Sequence, residues 1–88
     1  MSEKETLIEF PCDFPIKAIG KNSVQFVDEV KALSKKYFPN IKEHDINTQE
    51  SANKNFISIT LVVHAEDKPT LDNLYTELSQ LNDVKMVL

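Results

Sequence analysis

Phe56-Ile57-Ser58-Ile59-Thr60-Leu61-Val62-Val63-His64-Ala65 is the most apolar run in the sequence, and it alternates. Ile57, Ile59, Leu61 and Val63 fall on one face of a strand, and Phe56, Ser58, Thr60, Val62 and His64 on the other. β-Branched residues dominate it, as a pleated, packed surface prefers. The run predicts a central strand with one face in the core and a more mixed face opposite.

Upstream of it, Gln49 to Asn55 reads as a hairpin loop, and Ile41 to Thr48 as a second strand. Lys42, Glu43, His44, Asp45 and Asn47 leave that strand little to bury, which suits a protected sheet edge. Downstream, Glu66 and Asp67 precede a helix with Pro69 in its first turn, where a missing N–H costs nothing. Leu71, Leu74, Leu78 and Leu81, with Tyr75, form its apolar stripe, and Asn82 is expected to end it in the left-handed conformation. Asp83 to Leu88 is a last strand, with Val84, Met86 and Leu88 facing one way and Lys85 and Val87 the other.

Further out, Asn22 is expected to cap another helix, with Gln25 reaching back. Phe26, Val27, Val30, Leu33 and Tyr37 recur on one side of it, and Pro39 closes it by Phe38. Phe14 to Ile19 alternates as a first strand, with Pro15 near its start. Gly20, the sole glycine, is expected to end it, through either a positive φ or a close approach by another group. Residues 1–9 read as an arm and residues 10–88 as one domain. The order β-α-β-β-α-β predicts an α+β, ferredoxin-like sandwich. Its four-stranded antiparallel sheet has strand order 4-1-3-2, with both helices on one face. A chain of 88 residues buries roughly 60% of its unfolded surface, so the core is thin.

The net charge is −4, and all ten basic residues are lysines. Arginine is the usual bidentate ligand for phosphate and guanine, and its absence argues against nucleic acid and phosphoryl chemistry. No apolar run approaches the ~20 residues that span a bilayer, so no membrane partner is expected. The polar opening Ser2-Glu3-Lys4-Glu5-Thr6 is unlike a secretory leader, and the single cysteine suits a reducing compartment. The expected location is the cytoplasm.

Catalysis has little to stand on. Cys12 with His44 or His64 is a nucleophile and base by residue type only, and Cys12 reads as a packing residue beside Phe10 and Phe14. His44 and Asp45 are neighbours, which a strand points to opposite faces. No Cys-x-x-Cys or clustered histidine and carboxylate spacing suggests a metal, and no cofactor is expected. RNA-binding relatives of this fold carry aromatic and basic residues on the central strands, whereas Phe56 stands nearly alone here.

Phe10-Pro11, Phe14 with Ile16-Lys17-Ala18-Ile19-Gly20, the Phe56–Val63 strand, Leu74-Tyr75-Thr76-Glu77-Leu78 and the terminal Val84-Lys85-Met86-Val87-Leu88 together resemble the YbeD-like family of small bacterial proteins. The resemblance runs from about Phe10 to Leu88. It implies a βαββαβ fold similar to ACT domains, small regulatory modules that bind amino acids at dimer interfaces, and it implies no established activity.

Two features stand out for function. The turn Gly20-Lys21-Asn22-Ser23 leads into a helix, where free N–H groups hold a small anion or carboxylate in other proteins. ACT domains use the matching turn for their ligands. The sheet face away from the helices is expected to carry Lys17, Ile19, Ser58, Thr60, Val62, Lys85 and Val87, a mixture typical of a partner surface. The reading assigns a non-catalytic regulatory or adaptor protein that binds a protein partner or forms a homodimer. The alternative is a sensor of an amino-acid-like small molecule at the Gly20–Ser23 turn, with a Cys/His enzyme a distant third.

Overall fold

The computed structural model describes residues 12–88; the expected arm and the Phe10-Pro11 segment lie outside them. Strands β1 (Cys12–Lys21), β2 (Ile46–Glu50), β3 (Phe56–Ala65) and β4 (Val84–Val87) form one sheet in the order β2-β3-β1-β4. This is the predicted order, with the predicted edge strands outside, and every pairing is antiparallel. Helices α1 (Val24–Tyr37) and α2 (Lys68–Ser79) follow β1 and β3, so the element order is the predicted one.

The core lies between the sheet and the helices. Ile57, Ile59, Leu61, Val63 and Ala65 of β3 are buried in alternation with more exposed neighbours. β1 supplies Ile16 and Ala18, and α2 supplies Leu71, Leu74 and Leu78. Burying a side chain of this kind stabilises the fold by roughly 1.5–3 kcal/mol. On α1 the fully enclosed row is Phe26, Val30 and Ser34, continued by Phe38, at a spacing of four. Leu33 and Tyr37, predicted for that row, pack at its margin instead. Ser34 is tolerated there because its hydroxyl donates to the Val30 carbonyl at 2.7 Å.

Several boundaries differ from the sequence reading. Ser23, not Asn22, caps α1: its Oγ accepts the Phe26 N–H at 3.1 Å. Gln25 donates to Glu29 instead of reaching back. A 3₁₀ turn, Glu43–Asp45, takes up the start of the expected second strand, because the Asp45 carboxylate turns back to accept the Lys42 N–H. β2 therefore begins at Ile46 and runs on to Glu50. α2 ends at Ser79 with Gln80 at φ −96°, and Asn82 is not left-handed: Lys54, at φ 63°, is the sole non-glycine described residue with positive φ. Asp67 does cap α2, accepting the Thr70 N–H at 2.9 Å, and Pro69 lies in the first turn as predicted.

Candidate functional site

Both helices cover one face of the sheet, which leaves the other face open among the described residues. Cross-strand partners share a face, so register assigns its residues. On β1 and β3 these are the pairs Asp13 with His64, Pro15 with Val62, Lys17 with Thr60, Ile19 with Ser58 and Lys21 with Phe56. β2 adds Asn47 beside Thr60 and Gln49 beside Ser58. Lys17, Ile19, Thr60 and Val62 thus stand where the sequence reading put them.

β4 corrects that reading. Ala18 pairs with Val87 and Ile19 with Met86, but Gly20 pairs with Val84. Lys85 is the extra residue of a β-bulge. The bulge breaks the simple alternation of the last strand. Val87 shares the face of buried Ala18 and packs against the core, so it is not on the open face. Met86 takes its place beside Ile19, 46% exposed. Lys85 remains on the open face, because its Nζ reaches over β1 to within 5.2 Å of the Phe56 ring centroid. Leu88 exchanges two backbone hydrogen bonds with Lys17, at 2.7 and 3.1 Å, and joins the same face, 61% exposed. Apolar side chains Ile19, Met86 and Leu88 therefore gather at the β1–β4 side. The period-two pattern of Val84 to Leu88 puts Met86 with Leu88, but nothing in it signals that the bulge parts them from Val84 and sets them beside Ile19.

The Gly20–Ser23 turn is closed by its own chain. Lys21 N–H donates to the Asp83 carbonyl at 2.9 Å, Asn22 N–H to the Asn55 carbonyl at 3.1 Å, and Ser23 N–H to the Lys21 carbonyl at 2.9 Å. The Asn22 amide donates to Glu50 Oε2 at 2.9 Å and to the Lys54 carbonyl at 3.1 Å. Ser23 Oγ also donates to Asp83 Oδ2 at 3.1 Å. A carboxylate of the protein, Asp83, thus already stands at the start of α1, where the helix dipole favours negative charge.

The titratable groups are dispersed. Cys12 opens β1 opposite Ala65; the packing expected of its side chain lies outside the described residues. His64 Nδ1 is 3.0 Å from Asp13 Oδ1, with both side chains largely in solvent. His44 Nε2 is 3.5 Å from Asp45 Oδ1 in the 3₁₀ turn that precedes β2. Among the described residues no three histidine, cysteine or carboxylate groups are placed to hold a metal ion. Hydrogen bonds from the Thr70 side chain, and then its backbone N–H, hold the Asp67 carboxyl below the usual range. Burial pushes the Tyr75 hydroxyl up.

A cavity of about 430 Å³ lies beyond the end of β2, between Tyr37, Phe38 and Ile41 on one side and Val62 and His64 on the other. It exists because β2 begins opposite Leu61, leaving the last residues of β3 without a strand on that side among the described residues. Asp45, Glu66 and Asp67 line its rim. Two of these are already used, by Lys42 and Thr70. The sequence reading did not find this cavity, since residues far apart in the chain form it.

A one-sided four-stranded sheet of this order, with two crossover helices, is the architecture of ACT-like, ferredoxin-like domains. The fold is similar to the ACT domain from the GTP pyrophosphokinase of Chlorobium tepidum, with a TM-score of 0.68 at 20% identity over 88% of this chain and 97% of that one. It is similar also to the solution structure of protein HP0495 from H. pylori, with a TM-score of 0.71 at 19% identity over 92% and 85% of the two chains. Residues 5–88 match the family model described as "Protein of unknown function (DUF493)", and the chain belongs to that family. A UPF0250 protein of Chromobacterium violaceum is 37% identical over 86 residues, 98% of this chain and 97% of that one. One from Nitrosomonas europaea is 36% identical over 85 residues, 97% and 98% of the two chains. The YbeD-like resemblance therefore holds along the chain. No helix among the described residues is long and apolar enough to cross a membrane.

Proposed function

We propose that the protein is a non-catalytic binding module of ACT-like fold, a regulatory or adaptor domain whose contact surface is the open face of its sheet. The observation that carries this reading is the group of apolar side chains on that face, exposed Met86, Leu88 and Phe56 with half-buried Ile19, while the opposite face is filled by two helices. Exposed apolar groups collected on one side of a small domain mark an interaction surface. The β4 edge beside them has no further strand among the described residues. The likeness to a domain of a larger enzyme, the GTP pyrophosphokinase, supports a regulatory role.

The small-molecule alternative at Gly20–Ser23 has less support, because the backbone N–H groups of Lys21, Asn22 and Ser23 are used from within and Asp83 already sits at the start of α1. Catalysis has less still, since each histidine is paired only with an exposed or partly exposed aspartate.

The test compares proteins retained from a cell extract by wild type, by Ile19→Asp/Met86→Asp and by a helix-side control, Lys31→Glu/Asp72→Lys. The open-face variant is expected to keep its secondary structure and lose the retained proteins, and the control to keep both. Equal retention by the open-face variant would contradict the reading.

A further inference from the structure

The open face is charged opposite to the rest of the protein. It carries three lysines, Lys17, Lys21 and Lys85, and one aspartate, Asp13, which lies against His64 at one end. The other described residues carry six lysines against ten carboxylates, and the whole chain has a net charge of −4. Among the described residues Lys17 and Lys21 have no side-chain hydrogen bond or ion pair, and Lys85 contacts the Phe56 ring. These three cations frame the apolar group of Ile19, Met86 and Leu88. An acidic protein thus carries a local excess of lysine around the apolar side chains of its open sheet face.

We infer that the open face takes an acidic polypeptide other than a second copy of this chain, one whose carboxylates flank apolar side chains. Its apolar groups seat on Ile19, Met86 and Leu88, and its carboxylates meet Lys17, Lys21 and Lys85. The inference rests on the open face being the contact surface and adds the chemistry of the occupant. Complementary charge of this kind selects partners and speeds their encounter more than it adds affinity. Two copies meeting face to face would oppose lysine with lysine, which works against the pairing. A nucleic acid strand fits poorly, because stacking wants several aromatic platforms along a basic groove. Among the described residues this face has one aromatic ring, already under Lys85, and its lysines are separated by apolar residues.

The test uses two synthetic amphipathic helical peptides of about 18 residues. They share one leucine stripe and are flanked by glutamate in one and lysine in the other. Each is titrated into the full-length, isotope-labelled protein, with a single-stranded oligothymidine as a third probe. The glutamate peptide is expected to shift the amides of Lys17, Ile19, Lys21, Phe56 and Met86 and to weaken with salt. Lys17→Glu/Lys21→Glu/Lys85→Glu should lower its affinity by about tenfold or more and reverse the preference between peptides. If that variant unfolds, the milder Lys17→Gln/Lys21→Gln/Lys85→Gln set should still abolish the preference. Equal binding of both peptides at the open face overturns the acidic occupant and leaves the contact surface standing. Stronger binding of oligothymidine there overturns the polypeptide class. Shifts confined to the helices overturn both the occupant and the surface. The full-length variant Glu3→Lys/Glu5→Lys/Glu9→Lys, without any probe, is expected to leave the open-face amides unmoved. Movement there would make the chain's own first residues the occupant and overturn a separate partner.

Discussion

Gly20 runs directly beneath the backbone carbonyl of Asp83: a Cβ at Gly20 would come within 2.5 Å of that oxygen. The Phe26 ring closes the other side at 2.6 Å. Gly20 lies inside β1 with no positive φ, so the glycine is required by close approach and not by turn geometry. Gly20→Ala must push aside a backbone oxygen as well as a core ring. It is expected to destabilise the fold by about 1–3 kcal/mol, read as a lower midpoint in urea.

Ser23 and Asn22 should separate in the same assay. Ser23→Ala removes the α1 cap and strands the Asp83 contact, at a cost of about 1 kcal/mol. Asn22→Ala loses only partly exposed tethers to the β2–β3 loop and is expected to stay within about 0.5 kcal/mol of wild type. The reverse order would restore Asn22 as the cap.

The bulge at Lys85 predicts opposite outcomes for two adjacent residues. Val87→Asp places a carboxylate against the core and should cost about 1–3 kcal/mol. Met86→Asp points into solvent and should change stability by no more than about 0.5 kcal/mol. Equal destabilisation by both would contradict the register.

Asp67 links α2 to acid stability. Its folded-state pKa is lowered from the ordinary 3.8 by the Thr70 hydrogen bonds. Its charged form therefore contributes stability above the unfolded value, and that contribution is lost as the pH falls through the folded value. Thermal unfolding of wild type and Asp67→Asn should differ at neutral pH and converge in strong acid. A gap that persists there would assign the effect to packing.

Much of the fold was legible because its signals are local and repeated. The alternation of Phe56–Ala65 marked the central strand, and the leucine spacing of α2 marked its buried side. The paired proline and aspartate at Pro69 and Asp67 marked where α2 begins. What was not legible depended on partners distant in sequence. Asn22 and Ser23 are both good caps, and the choice was made by Glu50, Lys54 and Asp83, which engage them from other segments. Ser34 looks polar and is buried because it supplies its own hydrogen bond one turn back.

The candidate surface was readable on β1 and β3, where side chains keep period two. On β4 it was not, since a bulge carries no mark in Val84-Lys85-Met86-Val87 and yet turns Val87 inward and groups Met86 and Leu88 with Ile19. The charge contrast between the two sides was invisible to the net charge, which averages over both.

The most direct test of the open face as a contact surface is the chemical reactivity of individual lysines in the full-length protein, compared between a fresh cell extract and the purified state. Lys17, Lys21 and Lys85 are expected to lose reactivity towards an acetylating reagent in the extract, while Lys31 and Lys35 on α1 react equally in both. Unchanged reactivity at Lys17, Lys21 and Lys85, or protection confined to Lys31 and Lys35, would contradict the account.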